Sequence, residues 1–464
     1  MEAAIIIVFV VGYLAITLEH NLKIDKLIPA LIMMAISWAL IAFGIDDFPQ
    51  WFDSAKHTLL DNFGVLGHDE KMHLMEETLL HHLGKTAEIL VFLLGAMTIV
   101  EIIDYFDGFS TIKSFIKTKS KVKILWIFSF LAFILSAIID NLTATIVLIS
   151  ILQKIVKDRN IRIWYASLII IAANAGGAWS PIGDVTTTML WIGKKVTTGH
   201  LIGYLFFPSL ICMVIPSFIA SFLPVFKGKL EDSINEGDKP KSKYSSTMLF
   251  LGLAAIVSVP VFKTVTHLPP YVGMMLALGV VAIFAEIYSN TKFSLSNYDS
   301  AESDAHAHHS PVHSSLSKIE MPSILFFLGI LLAVAALESL GILFGFANSL
   351  KENMPMLGTE LHGEGVSDLV ILLLGFGSAV IDNVPLVAAS LGMFSEGIDN
   401  ELWHFIAYSA GTGGSMLIIG SAAGVVAMGM EKIDFFWYLK KISWLALLGF
   451  LAGALVFFYT RTLF

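Results

Sequence analysis

The sequence predicts an all-α polytopic membrane protein built from two related halves. Hydrophobic residues make up 56% of the 464 positions and charged residues only 14%, whereas soluble domains carry roughly a quarter charged residues. Many apolar runs approach the length needed to cross a bilayer. The phrase Ser-Ala-x-Ile-Asp-Asn occurs twice, at 136–141 and 378–383. A soluble fold is therefore excluded, and the single cysteine excludes a disulfide framework.

An internal duplication is indicated by three pairs of similar blocks. Residues 92–95 match 326–329, residues 136–141 match 378–383, and the Gly-Gly and Ile-Gly pairs within 176–183 match those within 413–420. The offsets are 234, 242 and 237 positions. Three blocks in one order at nearly one offset are typical of a repeat.

The N-terminal region, 1–85, holds apolar runs at 3–18 and 27–44. The first lacks a basic leader and a small-residue cleavage site, so we expect a first span and not a removed signal peptide. A polar, acidic stretch follows at 46–85, where an amphipathic surface helix is possible. Its histidines match no recognised metal spacing, and we expect them to be solvated: His57, His68, His73, His81 and His82.

The rest of the chain divides into two repeats and a linker. Repeat 1 is expected at 86–230, with a helical hairpin at 122–156 and a broken helix at 161–194. The linker at 231–320 has two spans and a His-containing loop. Repeat 2 is expected at 321–464, with single runs at 321–346 and 435–460, a hairpin at 366–397 and a broken helix at 402–430.

Loop charges predict that the two hairpins enter the membrane from opposite sides. Lysines and arginines lie on both flanks of the first hairpin, which predicts a cytoplasmic entry. The flanks of the second are acidic, which predicts entry from outside. Limbs of about 16 residues are short for full crossings, so we expect re-entrant hairpins in inverted repeats whose tips meet at mid-membrane.

Asp140 and Asp382 are the predicted centre of a site, because each lies in an apolar run without a cationic neighbour in sequence. An unpaired buried carboxylate is costly, so such an acid stays neutral, pairs or binds a cation. Asn141, Thr143 and Asn383 would add neutral oxygens. A helix N-cap explains the same residue types and does not exclude a site.

Residues 174–188 form a Gly-rich break that we expect not to continue a helix. Asn174, Ser180, Asp184 and Thr186 supply the oxygens that Na⁺ or Li⁺ prefers, and Ser415 is their counterpart in the second half. Irregular backbone at membrane depth is tolerated only where it lines a protein-enclosed cavity. A loop at the membrane surface is the open alternative.

Two further acids, Glu101 and Glu338, lie in apolar surroundings. Each is a candidate proton carrier, and for Glu101 an ordinary charge at the end of a helix is an equal alternative.

The tips 140–143 and 382–385 and the Gly-Gly-x-x-x-Pro-Ile-Gly-Asp-Val-Thr-Thr run at 176–187 resemble the NhaD-type sodium/proton antiporters. These belong to the ion transporter superfamily, with the arsenite permeases and the divalent-anion/sodium symporters, and the resemblance covers roughly 85–460. It implies a homodimer with a scaffold and a moving transport domain, in a bacterial inner membrane. It implies lipid, Na⁺, Li⁺ and H⁺ as partners, but neither a cofactor nor a nucleic acid.

The predicted activity is exchange of Na⁺ or Li⁺ for H⁺, with Na⁺ at Asp140 and Asp382 in competition with protons. The superfamily's symporters have Ser-Asn-Thr at their hairpin tips, and an extra carboxylate there would repel a dicarboxylate. Arsenite or anion transport is the first alternative. A membrane hydrolase would need a nucleophile with a base or a metal triad, and His404 is alone in its run. A structural protein would not need four polar helix breaks.

Overall fold

The computed structural model describes residues 1–54, 58–60, 62–116, 118–230, 244–293, 310–353 and 366–463. Within these ranges the protein is almost wholly helical, and the one sheet is a two-stranded antiparallel pair, β1 Phe52–Asp53 with β2 Thr58–Leu59. The predicted all-α class is confirmed.

The helices of the first half and linker follow one another along the chain. They are α1 Glu2–Thr17, α2 Glu19–Leu22, α3 Leu27–Phe43, α4 His68–Tyr105, α5 Ser110–Phe115, α6 Lys121–Ile139, α7 Asn141–Ile155, α8 Arg159–Ala178, α9 Val185–Ile192, α10 Thr198–Ser221, α11 Ser245–Thr266 and α12 Pro270–Phe293.

The second half continues in the same manner. Its helices are α13 Pro311–Leu316, α14 Met321–Ser339, α15 Ile342–Asn353, α16 Asp368–Ser378, α17 Asn383–Met393, α18 Glu401–Gly413, α19 Ala422–Glu431, α20 Phe435–Lys441 and α21 Ser443–Thr460.

Eight of the described helices are long and apolar enough to cross a membrane: α4, α6, α8, α10, α11, α12, α14 and α21. The shorter apolar helices among the described residues are α1, α3, α7, α16, α17 and α19. The chain is therefore an integral membrane protein that crosses the bilayer several times, as predicted.

Helix α4 begins within the polar stretch, at His68, and continues without a break to Tyr105. Its first turn is closed by Glu70, whose Oε2 accepts the backbone N–H of Gly67 at 3.1 Å, and straight-chain residues then support a continuous helix. His68, His73, His81 and His82 lie on this helix; His57, His306, His308 and His309 lie outside the described residues.

Two apolar runs predicted as single elements are each divided in two. The run at 321–346 breaks after α14, where Gly341 adopts a left-handed backbone with φ of 72°, a conformation that glycine tolerates best. The run at 435–460 divides at Ile442 into α20 and α21.

Two tight hairpins lie in the regions predicted for them. Only Asp140 separates α6 from α7, and four residues separate α16 from α17. Helix α6 packs along α8, and α16 packs along α18 in the same way. Each hairpin is therefore held against the first part of a broken helix.

The hydrogen bonds that hold the two hairpins are equivalent. Ser136 Oγ donates to the carbonyl of Ala173 at 2.6 Å, and Ser378 Oγ donates to the carbonyl of Ala410 at 2.7 Å. The second pair of residues lies at the repeat offsets from the first, so the same local packing is built twice.

Close backbone contacts recur at equivalent glycines. A Cβ added at Gly176 would lie 2.2 Å from the carbonyl oxygen of Phe133, and one added at Gly413 would lie 2.1 Å from that of Gly375. This contact explains why glycine occupies the position; α8 continues through its glycines to Ala178, contrary to the prediction that the break begins at Asn174. A glycine inside a helix costs only about 1 kcal/mol, and here it permits close helix packing.

The N-terminal helices form a separate packing group around α14. Helix α3 packs along both α1 and α14, and the indole Nε1 of Trp38 donates to the carbonyl of Leu332 at 2.8 Å. At Gly329 of α14, an added Cβ would meet the backbone of Ala30 at 2.9 Å. Helix α3 is therefore fixed firmly to α14.

A buried ion pair joins the two broken helices at the ends farthest from their breaks. Arg162, in the first turn of α8, donates through Nε to both carboxylate oxygens of Glu431 at 2.7 Å, and Glu431 is the last residue of α19. The Glu431 side chain is fully buried, and Gln153 of the first hairpin also donates to it at 2.9 Å.

Candidate ion-binding site

Asp184 is a deeply buried carboxylate, with only 2% of the residue exposed. It precedes α9 and caps its first turn: the N–H and the hydroxyl of Thr186 both donate to Oδ1 at 2.9 Å. Asp is a preferred N-cap because its oxygen accepts an otherwise unpaired backbone donor. The break therefore ends where a carboxylate faces the protein interior.

The asparagines of both hairpin tips donate to the same carboxylate. Asn141 Nδ2 lies 2.8 Å from Asp184 Oδ2, and Asn383 Nδ2 lies 3.2 Å from that oxygen. The two halves of the chain thus meet at one side chain. No basic side chain pairs with Asp184 among the described residues.

Asn174 extends this cluster to the second break. Its side-chain oxygen Oδ1 accepts a hydrogen bond from Asn141 Nδ2 at 3.1 Å, and its Nδ2 donates to Ser421 Oγ at 2.9 Å. Ser421 caps α19 through the N–H of Gly424. Ser421 was not among the predicted site residues, although the offset of 237 aligns it with Asp184.

Asp140, at the first tip, bonds within its own hairpin. Its Oδ1 accepts the N–H of Thr143 at 2.9 Å and its Oδ2 accepts the Thr143 hydroxyl at 2.8 Å. The backbone has φ of 74° and ψ of 157°, a region that side chains rarely occupy and that costs about 1–3 kcal/mol. The N-cap reading therefore describes Asp140 correctly, while the strained turn sets the direction of its carboxylate.

Asp382, at the second tip, has the basic partner that its local sequence lacks. Lys26 Nζ lies 3.1 Å from Asp382 Oδ2, although the two residues are 356 positions apart. The Asp382 backbone is unstrained, with φ of −48°, and its side chain caps α17 through Val384 at 3.5 Å. Of the three outcomes expected for a buried acid, Asp382 therefore pairs, and its partner is distant in sequence.

Two predicted residues bond outside the cluster. Ser180 Oγ accepts the N–H of Ile182 at 3.4 Å, within the break itself. Ser415 Oγ donates to the carbonyl of Thr412 at 2.6 Å, one turn back. Both residues are buried, and their recorded side-chain bonds are local.

Glu101 and Glu338 lie at a distance from the Asp184 cluster. Glu101 lines a cavity of about 450 Å³ that follows α7 from Thr143 to Lys154. Glu320 lines the same cavity. Glu338 packs against Gly392 of α17, where an added Cβ would lie 3.0 Å from the carboxylate. One acid thus faces the cavity that leads to the first tip, and the other lies behind the second hairpin.

Comparisons with known proteins give one family description and a more specific set of relatives. The family model described as "Citrate transporter" matches residues 6–403. "Sodium/proton antiporter 1" of Arabidopsis thaliana is 40% identical over 97% of this chain and 71% of its own length. "Sodium/proton antiporter 2" of the same plant is 37% identical over 97% and 98%.

A bacterial relative carries the same activity in its name. "Na(+)/H(+) antiporter NhaD" of Alkalimonas amylolytica is 30% identical over 97% of this chain and 89% of its own length. The chain therefore belongs to the CitMHS family of membrane transporters and, within it, to the NhaD-type sodium/proton antiporters.

Proposed function

We propose that this protein exchanges Na⁺ for H⁺ across a membrane, with Li⁺ as a second substrate, by alternating access to one site. The single observation that carries the proposal is Asp184: a buried carboxylate, without a basic partner among the described residues, that receives the amides of both hairpin tips. A negative charge in this setting is costly unless it is neutralised, and either Na⁺ or H⁺ neutralises it.

The oxygens around Asp184 suit a hard monovalent cation. Alkali ions prefer carboxylate, carbonyl and hydroxyl oxygens. The side chains here supply the carboxylate of Asp184, the amide carbonyl of Asn174 and the hydroxyls of Thr186 and Ser421. The tip amides of Asn141 and Asn383 now present nitrogen, and a half-turn of either side chain would present its oxygen instead. Asp140 and Asp382 add negative charge on either side.

Competition between the two cations is sufficient for exchange. A proton on a carboxylate removes the charge that holds Na⁺, so each ion displaces the other from the same oxygens. The loaded site is close to neutral, whereas the empty site leaves uncompensated charge, and charge in the membrane interior opposes movement. The carrier then changes sides only when loaded.

Anion transport is the alternative that the family description suggests. A citrate site would need basic groups or helix N-termini directed at the carboxylates. Asp140, Asp184 and Asp382 are acidic, and the Lys26 ammonium is already engaged by Asp382. These charges favour the binding of a cation over the binding of citrate.

We propose in addition that the hairpins are re-entrant, that the repeats are inverted, and that the protein is a homodimer in the cytoplasmic membrane of a bacterium. The loop charges support the orientation, and NhaD relatives from bacteria support the location. The Arabidopsis relatives make a plant membrane the alternative.

Single cysteines in a Cys212→Ser background test the orientation. Cysteines replacing Lys119 and Lys157 should both react with an impermeant maleimide only from the cytoplasmic side, and those replacing Glu364 and Gly397 only from the opposite side. Labelling of the first two positions from opposite sides would show an ordinary crossing and would remove the inverted arrangement.

The activity itself is tested in proteoliposomes that contain the purified protein and a pH-sensitive dye. Addition of Na⁺ or Li⁺ should dissipate a preformed proton gradient, and choline chloride at the same ionic strength should not. The apparent KM for Na⁺ should fall as pH rises, because fewer protons then occupy the carboxylates. Citrate-driven signals without a response to Na⁺ would contradict the proposal.

A further inference from the structure

Lys26 stands apart from the elements that form the candidate site. It lies immediately before α3, the N-terminal helix fixed to α14, whereas Asp382 lies at the tip of the second hairpin. Their side chains are 26% and 15% exposed, so the ion pair is largely shielded from solvent. The ammonium also lies 4.5 Å from the ring centre of Phe326. A helix outside the repeats thus contributes a cation to the site.

We infer that Lys26 is an internal competitor of the transported cation: its ammonium neutralises Asp382 while the site holds no Na⁺ and leaves that carboxylate when Na⁺ binds. The inference rests on the proposed exchange of Na⁺ for H⁺ and adds a residue that neither the repeat motifs nor the family comparisons indicate.

Electrostatics requires that Lys26 and Na⁺ exclude one another at Asp382. One carboxylate neutralises one monovalent cation, and two cations on the same oxygens repel each other strongly where solvent is scarce. Without either cation, the shielded carboxylate would bear an unpaired charge, which is strongly unfavourable. An ammonium supplied by the protein therefore stabilises the empty site and raises the Na⁺ concentration needed to fill it.

The structure also provides space for an incoming cation beside the ion pair. A cavity of about 50 Å³ lies beside the ion pair and is lined by Lys26, Asp382, Ser421, Tyr13 and Glu19. This volume admits a small cation next to Asp382 and Ser421.

An alternative carboxylate is within electrostatic range of Lys26. Glu19 lines the same cavity, and both Glu19 and Glu320 interact with the Lys26 ammonium. A flexible four-carbon side chain can exchange Asp382 for Glu19 without a change in the backbone.

The purely structural explanation is that the pair only ties α3 to the second hairpin. That role predicts loss of stability on removal of Lys26, but not tighter binding of Na⁺. The two explanations differ in the Na⁺ dependence of stability, which is measured without transport.

The test follows the melting temperature of the purified protein in detergent against Na⁺ concentration, with choline chloride keeping the ionic strength constant. Binding to the folded state raises the melting temperature by linkage, so the Lys26→Gln variant should reach half its Na⁺-induced shift at a concentration at least about fivefold lower than the wild type. Lys23→Gln, an exposed lysine in the same loop, is the matched control and should match the wild type.

Two further variants keep the test decisive if Lys26→Gln folds poorly. Lys26→Arg keeps the charge and binds carboxylates in a bidentate manner, so it should raise the half-saturating Na⁺ concentration at least about twofold. The double variant Lys26→Gln/Asp382→Asn should bind Na⁺ no more tightly than Asp382→Asn alone, because the competition acts through Asp382.

An unchanged or higher half-saturating concentration in Lys26→Gln would overturn the inference, as would an unchanged value in Lys26→Arg. Failure of the underlying function gives a different result: the wild type itself would then show neither Na⁺-dependent stabilisation nor exchange in proteoliposomes. With a responsive wild type, the KM for Na⁺ in exchange should fall in Lys26→Gln by the same factor as the half-saturating concentration.

Discussion

The two hairpin tips carry the same Asp-Asn pair, yet different structures satisfy the two carboxylates. Asp140 accepts both of its recorded hydrogen bonds from Thr143 in its own helix. Asp382 has Pro385 where the first tip has Thr143 and instead pairs with Lys26 of a distant helix. The first tip is therefore complete within its hairpin, whereas the second depends on the N-terminal region.

The two breaks differ in the same sense. Asp184 and Ser421 occupy equivalent N-cap positions, before α9 and α19, but only the first brings a charge. The first repeat therefore supplies two carboxylates, and the second supplies one that is already paired. A duplicated backbone with unequal charges is consistent with the single ion site that we propose at Asp184.

Between the two breaks, the larger effect on exchange is expected from Asp184→Asn. The amide can still cap α9, but the site loses the charge that attracts Na⁺ and H⁺, so exchange should fall by at least about 100-fold, which corresponds to roughly 3 kcal/mol. Ser421→Ala, at the equivalent position, should reduce exchange only about three- to tenfold, the size expected for one neutral hydrogen bond. Dye-monitored exchange in proteoliposomes measures both.

Asp158→Asn is the control for capping, because Asp158 caps α8 through Asn160 at 2.8 Å and is exposed. It should exchange normally. Equal losses in Asp184→Asn and Ser421→Ala would show that both breaks contribute alike.

A second difference should separate the two tip acids in stability. Asp140→Asn and Asp382→Asn are both expected to abolish exchange, but only the latter leaves a shielded ammonium unpaired. Asp382→Asn should therefore lose about 1–3 kcal/mol of unfolding free energy, and Asp140→Asn less than about 1 kcal/mol, since asparagine also caps helices. Thermal melting in detergent at low Na⁺ provides the measurement.

Adding Lys26→Gln to Asp382→Asn should recover most of the lost stability. Similar melting temperatures for the two single variants would mean that the Lys26 pair contributes little to the fold.

The smallest difference is expected where the halves are most alike. Gly176→Ala and Gly413→Ala each place a Cβ against a hairpin carbonyl at 2.2 and 2.1 Å. Each should destabilise the protein by a similar amount, about 1–3 kcal/mol. Gly429→Ala, where a Cβ meets nothing within 4 Å, should leave the melting temperature unchanged or raise it. A clear inequality between the first two variants would show that the hairpins are held differently.

The sequence was sufficient to predict the helical class and the membrane spans. Repetition of short polar phrases within apolar runs indicated which positions are equivalent, so Asn141, Asn174, Asp184 and Asn383 were recognised before their contacts were known. Hydropathy could not locate the divisions at Gly341 and Ile442, because apolar composition continues through both.

Contacts across the chain were the part that local pattern could not supply. Lys26 is 356 positions from Asp382 and resembles an ordinary charge before a span. Ser421 lay within the aligned repeat, but a serine opposite an aspartate does not suggest a ligand unless the two caps are known to be linked through Asn141 and Asn174.

The ion pair between Arg162 and Glu431 has a mechanical consequence for exchange. It fastens α8 to the end of α19 through a bifurcated hydrogen bond from Arg162 Nε to the fully buried Glu431 carboxylate, and Asn174 with Ser421 links the same two helices at the breaks. Two attachments some distance apart oppose both sliding and rotation of one helix against the other. We therefore expect the broken helices to move together during exchange, so that a displacement of the first break carries the second with it.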